Sequence, residues 1–101
     1  MTLDEFKRME QPAPGLSPAL RALWHDLHGN WEEAHRIAQD IDTVEGAWIH
    51  AYLHRKEGDL ANAGYWYRRA QRPAARNPLD DEWASIASAL LEGGADPHRP
   101  C

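Results

Sequence analysis

The sequence predicts an all-α protein in which a short N-terminal helix precedes two antiparallel helical hairpins and a further helix caps them. Apolar residues recur every three or four positions, which is the spacing of one face of a helix. Residues that cap helices precede these stretches, and glycine or proline follows them. The two central hairpins also repeat each other in sequence, with Gly29 and Gly58 at matching turns.

Residues 1–15 are expected to form a short helix and a proline-rich linker. Thr2 and Glu5 have the spacing of a capping box, in which each side chain accepts a hydrogen bond from the backbone N–H of the other residue. The helix is expected to continue to about Glu10. Two prolines follow within the next few residues and end it, because proline lacks the amide donor that a helix needs.

Residues 16–92 are expected to form the helical domain, which begins with the first hairpin. Ser17 precedes Pro18, an order that suits an N-cap followed by the first helical position. Gly29 is expected to end the first helix and Asn30 to cap the second. Such a short connection makes consecutive helices antiparallel.

The second hairpin and the last helix carry the same kinds of signal. Thr43 is expected to open the first helix of this hairpin, Gly58 to end it in a left-handed conformation, and Asp59 to cap the next helix. Asn77 and Pro78 repeat the order of a cap followed by proline. The helix after them has the clearest apolar stripe in the chain, and we expect it to cap the core.

Composition limits the classes of partner. A chain of 101 residues fits one domain with a core of its own. Its 16 acidic residues exceed its 11 Lys and Arg, and the formal charge of −5 argues against a nucleic-acid partner. No apolar stretch approaches the ~20 residues of a membrane span, so no membrane partner is expected. Residues 93–101 are expected to form a flexible tail after the last helix.

The repeat places small residues, a turn and a large residue in the same order twice. The matching pairs are Ala22 and Ala51, Gly29 and Gly58, Trp31 and Leu60, and Ala34 and Ala63. Over about residues 18–73 the chain therefore resembles the tetratricopeptide repeat, although the two turn glycines are 29 positions apart and that family has a period of ~34. The resemblance implies stacked helical hairpins whose first helices line a concave surface that binds a peptide.

A second resemblance concerns the string AWIHAYLHRKEGD at residues 47–59, which YWYRRA follows at residues 65–70. Together they are similar to a signature of small, mostly bacterial, uncharacterised proteins. This implies a compact cytoplasmic domain and transfers no catalytic residue. The only cysteine, Cys101, cannot form an intrachain disulfide, and the N-terminus lacks the pattern of a signal peptide, so a cytoplasmic location is expected.

An aromatic and basic cluster predicts where a partner binds. Adjacent residues of a helix point about 100° apart, so one hairpin cannot bury all the rings between residues 48 and 67, and at least one ring is expected to be exposed. With nearby arginines, these rings could bind an acidic peptide or an aromatic anion. The predicted partner-binding residues, four of them implied by the tetratricopeptide resemblance, are Trp48, Tyr52, Arg55, Lys56, Trp66 and Arg69. The alternative is that the rings form core and the arginines only solubilise the surface.

Histidines provide a second hypothesis, which is binding of zinc or another transition metal. His50 and His54 are four residues apart, and so point to the same side of a helix. His25 and His28 lie in the equivalent part of the first hairpin, and the four imidazoles would converge if the two helices lie side by side. The alternative is a set of packed core histidines, because the tetratricopeptide family usually has an aromatic ring at two of these positions.

No motif in the chain specifies a reaction. Ser17 is expected to cap a helix, Ser85 and Ser88 lack a glycine-rich elbow, and Cys101 is the last residue, so no catalytic residue is assigned. The leading hypothesis is an interaction or adaptor module that is not an enzyme, needs no cofactor and binds a protein, a peptide or a second copy of itself. The alternative is a metal-binding protein or small metal-dependent enzyme that uses the histidines.

Overall fold

The computed structural model describes residues 1–92, and within them the chain is helical without strands, as predicted. The helices are α1 (Leu3–Arg8), α2 (Pro18–Leu27), α3 (Trp31–Ala38), α4 (Val44–Glu57), α5 (Leu60–Arg69) and α6 (Leu79–Leu91). None of these helices has the length and apolar character needed to cross a membrane. The predicted flexible tail, residues 93–101, lies outside the described residues.

Side-chain caps set the starts of the first five helices, as the sequence predicts. Thr2 Oγ1 accepts a hydrogen bond from Glu5 N, and the Glu5 carboxylate accepts one from Thr2 N, which confirms the capping box. The caps of α2, α3, α4 and α5 are Ser17, Asn30, Thr43 and Asp59. Gly58, with φ +92°, ends α4 in the predicted left-handed conformation.

The start of α6 differs from the prediction. Its N-cap is Pro78, which offers no side-chain hydrogen bond, so the prediction that Asn77 caps this helix is wrong. The backbone carbonyl of Asn77 instead accepts a hydrogen bond from the guanidinium of Arg55. The side chain of a distant residue in α4 therefore orients the loop that precedes α6, and this could not be inferred from the local sequence.

The helices pack in pairs, and all of them except α5 contribute buried residues to one main core. α2 packs mainly against α3, and α4 against α5, while α6 packs across both α2 and α4 beside α1. Phe6, Leu23, Leu53 and Ile86 are fully buried members of the main core, one from each of α1, α2, α4 and α6. The Cα radius of gyration is 12.7 Å, which is typical of a compact domain of this size. A smaller cluster between α4 and α5 comprises Ala51, Ala63 and Tyr67.

Candidate functional site

Asp26 of α2 is a buried carboxylate that binds two of the predicted partner-binding residues. Only 3% of its surface is exposed. The Tyr52 hydroxyl donates a hydrogen bond to Oδ2 at 2.8 Å, and Lys56 Nζ lies 2.9 Å from Oδ1. Because an unpaired carboxylate in the interior would cost several kcal/mol, these contacts compensate for the burial of Asp26. They join α4 to α2.

Glu82 of α6 has the same role on the other side of α4. It is 2% exposed, and Arg55 Nη1 lies 2.8 Å from its Oε1. Its Oε2 accepts hydrogen bonds from the Tyr67 hydroxyl at 2.6 Å and from Trp48 Nε1 at 3.2 Å. One carboxylate thus connects α6 with both α4 and α5.

The predicted partner-binding set therefore has two different environments. Tyr52 is buried, the side chain of Arg55 is 16% exposed, and Lys56 is bonded to a carboxylate through its ammonium group. The polar ends of these three residues make contacts inside the molecule and cross-link helices. Lys56 still has 39% of its side chain exposed. The other three members are half-buried or exposed, although Nε1 of the first also bonds to Glu82: Trp48, Trp66 and Arg69.

Burial also changes the acidity of the two tyrosines in these networks. Desolvation is the main cause that raises the pKa of Tyr52 far above its usual value, and the neighbouring Asp26 charge raises it further. Burial and the hydrogen bond to Glu82 raise the pKa of Tyr67 in the same way. Both hydroxyls therefore remain donors throughout the physiological pH range.

The exposed part of the set belongs to a larger surface that is both basic and aromatic. Residues 60–79 contain four arginines and no aspartate or glutamate. We call the basic-aromatic surface the group formed by Trp48, Tyr65, Trp66, Arg68, Arg69, Arg72 and Arg76. Within residues 1–92 none of its arginines pairs with a carboxylate. Tyr65 is 45% exposed, so the expectation that at least one ring remains exposed is confirmed.

Two arginines of this surface lie against tryptophan rings. Arg72 Cζ is 3.4 Å from the centroid of the Trp48 ring, and Arg69 Cζ is 5.3 Å from the centroid of the Trp66 ring. A guanidinium stacked on an indole is attracted by the π-face and keeps its N–H edges free. The surface thus presents cations in fixed positions whose donors can reach an external acceptor.

The basic-aromatic surface contains two clefts, and Trp48 and Arg72 line both of them. One cleft of about 440 Å³ is bounded also by Val44 and Leu90, and so lies between α4 and α6. The other, of about 580 Å³, extends along the loop before α6 toward Ser85. Ligand sites in proteins are commonly ~300–1,000 Å³, so either cleft can receive a side chain of a bound segment.

The histidines converge in a combination that differs from the predicted one. His50 and His54 of α4 meet His35 of α3, and one ring nitrogen from each lies within 4.8 Å of the others. His50 Nε2 and His35 Nε2 are 3.0 Å apart. His25 and His28 do not belong to this cluster, because both pack against the indole of α2, with ring centroids 5.2 and 4.0 Å from it.

His35 was not predicted from the sequence, because it lies on α3, the second helix of its hairpin, whereas the predicted histidines all lie on first helices. Indole rings flank the cluster, with Trp31 stacked on His35 at 5.0 Å and Trp66 stacked on His50 at 3.9 Å between ring centroids. Burial lowers the pKa of His50 to about 4, and it also lowers the pKa of His35. Neutral imidazole is the form that binds transition metals, and the lowered pKa values of His35 and His50 favour that form.

These features define the class of the molecule as an all-helical protein with internally paired carboxylates, a basic-aromatic surface and a histidine cluster. In comparisons with protein-family models, curated proteins and solved structures, nothing matches the chain. The chemistry of the side chains is therefore the basis for a functional proposal.

Proposed function

We propose that the protein is an interaction module that binds an acidic segment of a protein partner on the basic-aromatic surface. The observation that carries this proposal is the segregation of charge. Four of the 11 Lys and Arg lie in a stretch without acidic residues, in a chain whose formal charge is −5. A surface of this kind attracts a ligand of opposite charge.

Geometry supports recognition of carboxylates in particular. A guanidinium presents parallel N–H donors that match both oxygens of a carboxylate. Arg69 and Arg72 are held over indole rings, at 5.3 and 3.4 Å from the ring centroids, so less side-chain entropy is lost when they bind a ligand. The cleft of about 440 Å³ beside Trp48 can take an apolar side chain from the same segment. The favoured ligand is therefore acidic residues next to an aromatic or aliphatic one.

A tetratricopeptide-like arrangement of the helix pairs is part of this proposal. It is supported by the pairing of α2 with α3 and of α4 with α5, and by the burial of the alanines that the repeat shares. In such an arrangement α2 and α4 would line the surface that receives a peptide. Because α6 packs against both of them, we place the partner on the outer surface around α5 and the loop after it.

A protein segment suits this surface better than a nucleic acid does. A long polyanion would extend beyond the four arginines and meet acidic runs such as Glu32–Glu33 and Asp80–Asp81. A short acidic segment needs to cover only the local basic area. Asp80 and Asp81 of a second copy of the chain would also be a short acidic segment. The experiment must therefore distinguish self-association from binding of a different protein.

The test is a calorimetric titration of the full chain with a short peptide in which Glu and Asp surround one Phe. The double variant Arg69→Glu/Arg72→Glu should weaken binding at least about tenfold, because it replaces two cations with carboxylates that repel the acidic peptide. The matched control is Arg8→Glu/Arg21→Glu, which makes the same change in net charge at exposed positions of α1 and α2. Its affinity should stay within about twofold of the wild type.

Three results would reject the proposal. They are absence of binding to the peptide, equal weakening by both double variants, and tighter binding of a single-stranded oligonucleotide of equal charge. Native mass spectrometry of the free chain tests for self-association. A dimer that dissociates in Arg69→Glu/Arg72→Glu but persists in the control would identify a second copy of the chain as the acidic partner.

A further inference from the structure

The three histidines between α3 and α4 lie close enough together to be considered as a set of metal ligands. Tetrahedral zinc holds its nitrogen ligands at about 2.0–2.1 Å, which separates those nitrogens by about 3.3 Å. The Nε2 atoms of His35 and His50 are 3.0 Å apart and so already fit. All three rings have a nitrogen within 4.8 Å of the others, so a ring rotation that moves the His54 nitrogen by about 1.5 Å would complete the set.

The surroundings restrict the motion of two of the rings, those of His35 and His50. His50 and His54 are 6% and 8% exposed, and they lie one helical turn apart on α4. Trp31 and Trp66 stack on His35 and His50 with interplanar angles of 11° and 15°. Rings that are already held in place lose little entropy when they bind an ion, which favours metal affinity.

One buried atom in the cluster has no hydrogen-bond partner among the described residues. It is His54 Nδ1, and its nearest acidic neighbour is Glu57, whose Oε1 lies 3.4 Å away. Metal-bound histidines usually donate their second ring N–H to a carboxylate, which fixes the ring and its tautomer. A small rotation of His54 would bring Nδ1 into a hydrogen bond with Glu57 Oε1, now 3.4 Å away, and would leave Nε2 as the ligand nitrogen.

The geometry points to a site for one divalent transition metal, with Zn²⁺ as the best-suited ion, formed by His35, His50 and His54. Glu57 is the positioning residue that orients His54. Three protein ligands leave a fourth position for water or an external ligand, which is the pattern of zinc sites that do chemistry rather than only stabilise a fold. This inference does not depend on the proposed binding of an acidic segment: none of the three ligands belongs to the basic-aromatic surface, and the two sites share only Trp66, which stacks on His50.

The test uses untagged, full-length chain from which metals have been removed with a chelator. Calorimetric titration with Zn²⁺ should give one ion per chain, and the variants His35→Gln and His54→Gln should bind it at least about 100-fold more weakly. His35 is only half-buried, so His35→Gln is the variant that should keep the fold, and circular dichroism verifies this. Glu57→Gln should weaken binding about tenfold.

Cobalt provides a readout that a general loss of stability does not change. Co²⁺ bound by three imidazoles and water should give the visible absorption of a tetrahedral site, and His35→Gln should lose it. In Glu57→Gln the spectrum should keep its shape but need a higher Co²⁺ concentration to develop. That behaviour is expected of a residue that orients a ligand without binding the ion.

Histidines outside the cluster supply matched controls. His28→Gln, and His98→Gln combined with Cys101→Ser, should leave the stoichiometry and affinity for Zn²⁺ unchanged. The inference is overturned if the wild type binds no Zn²⁺, or if His35→Gln and His54→Gln bind it as tightly as the wild type. It is also overturned if the loss occurs with the His98→Gln/Cys101→Ser control, which would place the ion on the C-terminal segment.

Discussion

At the scale of single residues, Asp26 and Glu82 determine which polar side chains of α4 are available to a partner. Each is almost fully buried and bonded to side chains of α4. Arg55 and Lys56 are therefore bonded to buried carboxylates of other helices, although in the sequence they look like other surface cations. The four arginines of residues 60–79 are instead exposed.

Glu82→Ala tests this role of a buried carboxylate. The substitution leaves Arg55 without its partner at 2.8 Å and removes the acceptor of the Tyr67 hydroxyl. We expect the free energy of unfolding to fall by about 3–5 kcal/mol, as measured by urea denaturation. The control Asp81→Ala changes an exposed residue next to it and should cost less than about 1 kcal/mol. Equal losses for the two variants would contradict the assignment.

The raised pKa values of Tyr52 and Tyr67 predict sensitivity to alkali. In the unfolded chain tyrosine ionises near pH 10.0, whereas in the folded protein both hydroxyls keep their protons to higher pH. Stability from these groups is thus complete below pH 10.0 and is lost as the pH rises above it, because only the unfolded chain gains by ionising. In Tyr67→Phe the slope of this decline, followed by tryptophan fluorescence, should be smaller by about 1.4 kcal/mol per pH unit. An unchanged slope would contradict the prediction.

Local chemistry predicted most single-residue features of the fold, and long-range contacts account for the rest. Caps such as Thr2 and Ser17 act within three residues, so their patterns are visible in the sequence. Glu82 lies in an acidic run that suits any helix start, and its burial depends on an arginine 27 positions earlier. His35 was missed for the same reason, since only the packing of α3 on α4 brings it to His50.

At the scale of elements, the turn between α4 and α5 depends on glycine. Gly58 has φ +92°, and an alanine in this conformation is strained. Gly58→Ala should therefore lower the free energy of unfolding by about 1 kcal/mol in thermal denaturation. Substitution of Gly64 by alanine should change the free energy of unfolding in the opposite direction. Gly64 is inside α5, and an added Cβ would meet only Arg68 Nη1 at 3.7 Å.

Gly64→Ala should therefore raise the free energy of unfolding by about 0.5–1 kcal/mol, the difference in helix propensity between the two residues. If both variants were destabilised equally, conformational strain at Gly58 would not be the cause.

The two glycines also differ in whether their roles could be predicted from the sequence. The left-handed cap has a sequence pattern, whereas the free space beside Gly64 is known only from the packing of α5.

The sequence could not predict which helices α6 packs against. Its existence and its apolar stripe were predicted, and Trp83 and Ile86 of that stripe are buried. Where it packs depends on Trp83 Nε1, which donates to the Leu23 carbonyl at 3.0 Å, and on the bonds of Glu82. These contacts join residues far apart in the chain, so the sequence predicted a capping helix but not that α6 packs across both α2 and α4.

At the scale of the whole molecule, charge is distributed unevenly. The chain has a formal charge of −5, yet residues 60–79 carry four arginines and no acidic residue. The proposed binding is electrostatic and takes place on an exposed surface, so added salt should weaken it as the screening length falls below ~10 Å. The same unevenness predicts that an acidic segment finds one preferred site on the molecule.

The most direct test follows the five tryptophan indole N–H signals by NMR while the acidic peptide is added. The signals of Trp48 and Trp66 should shift with saturation, because both rings belong to the basic-aromatic surface. The other three indoles donate to backbone carbonyls inside the molecule and should not move: Trp24, Trp31 and Trp83. Shifts confined to those three, or no shift of any indole, would contradict the proposed site.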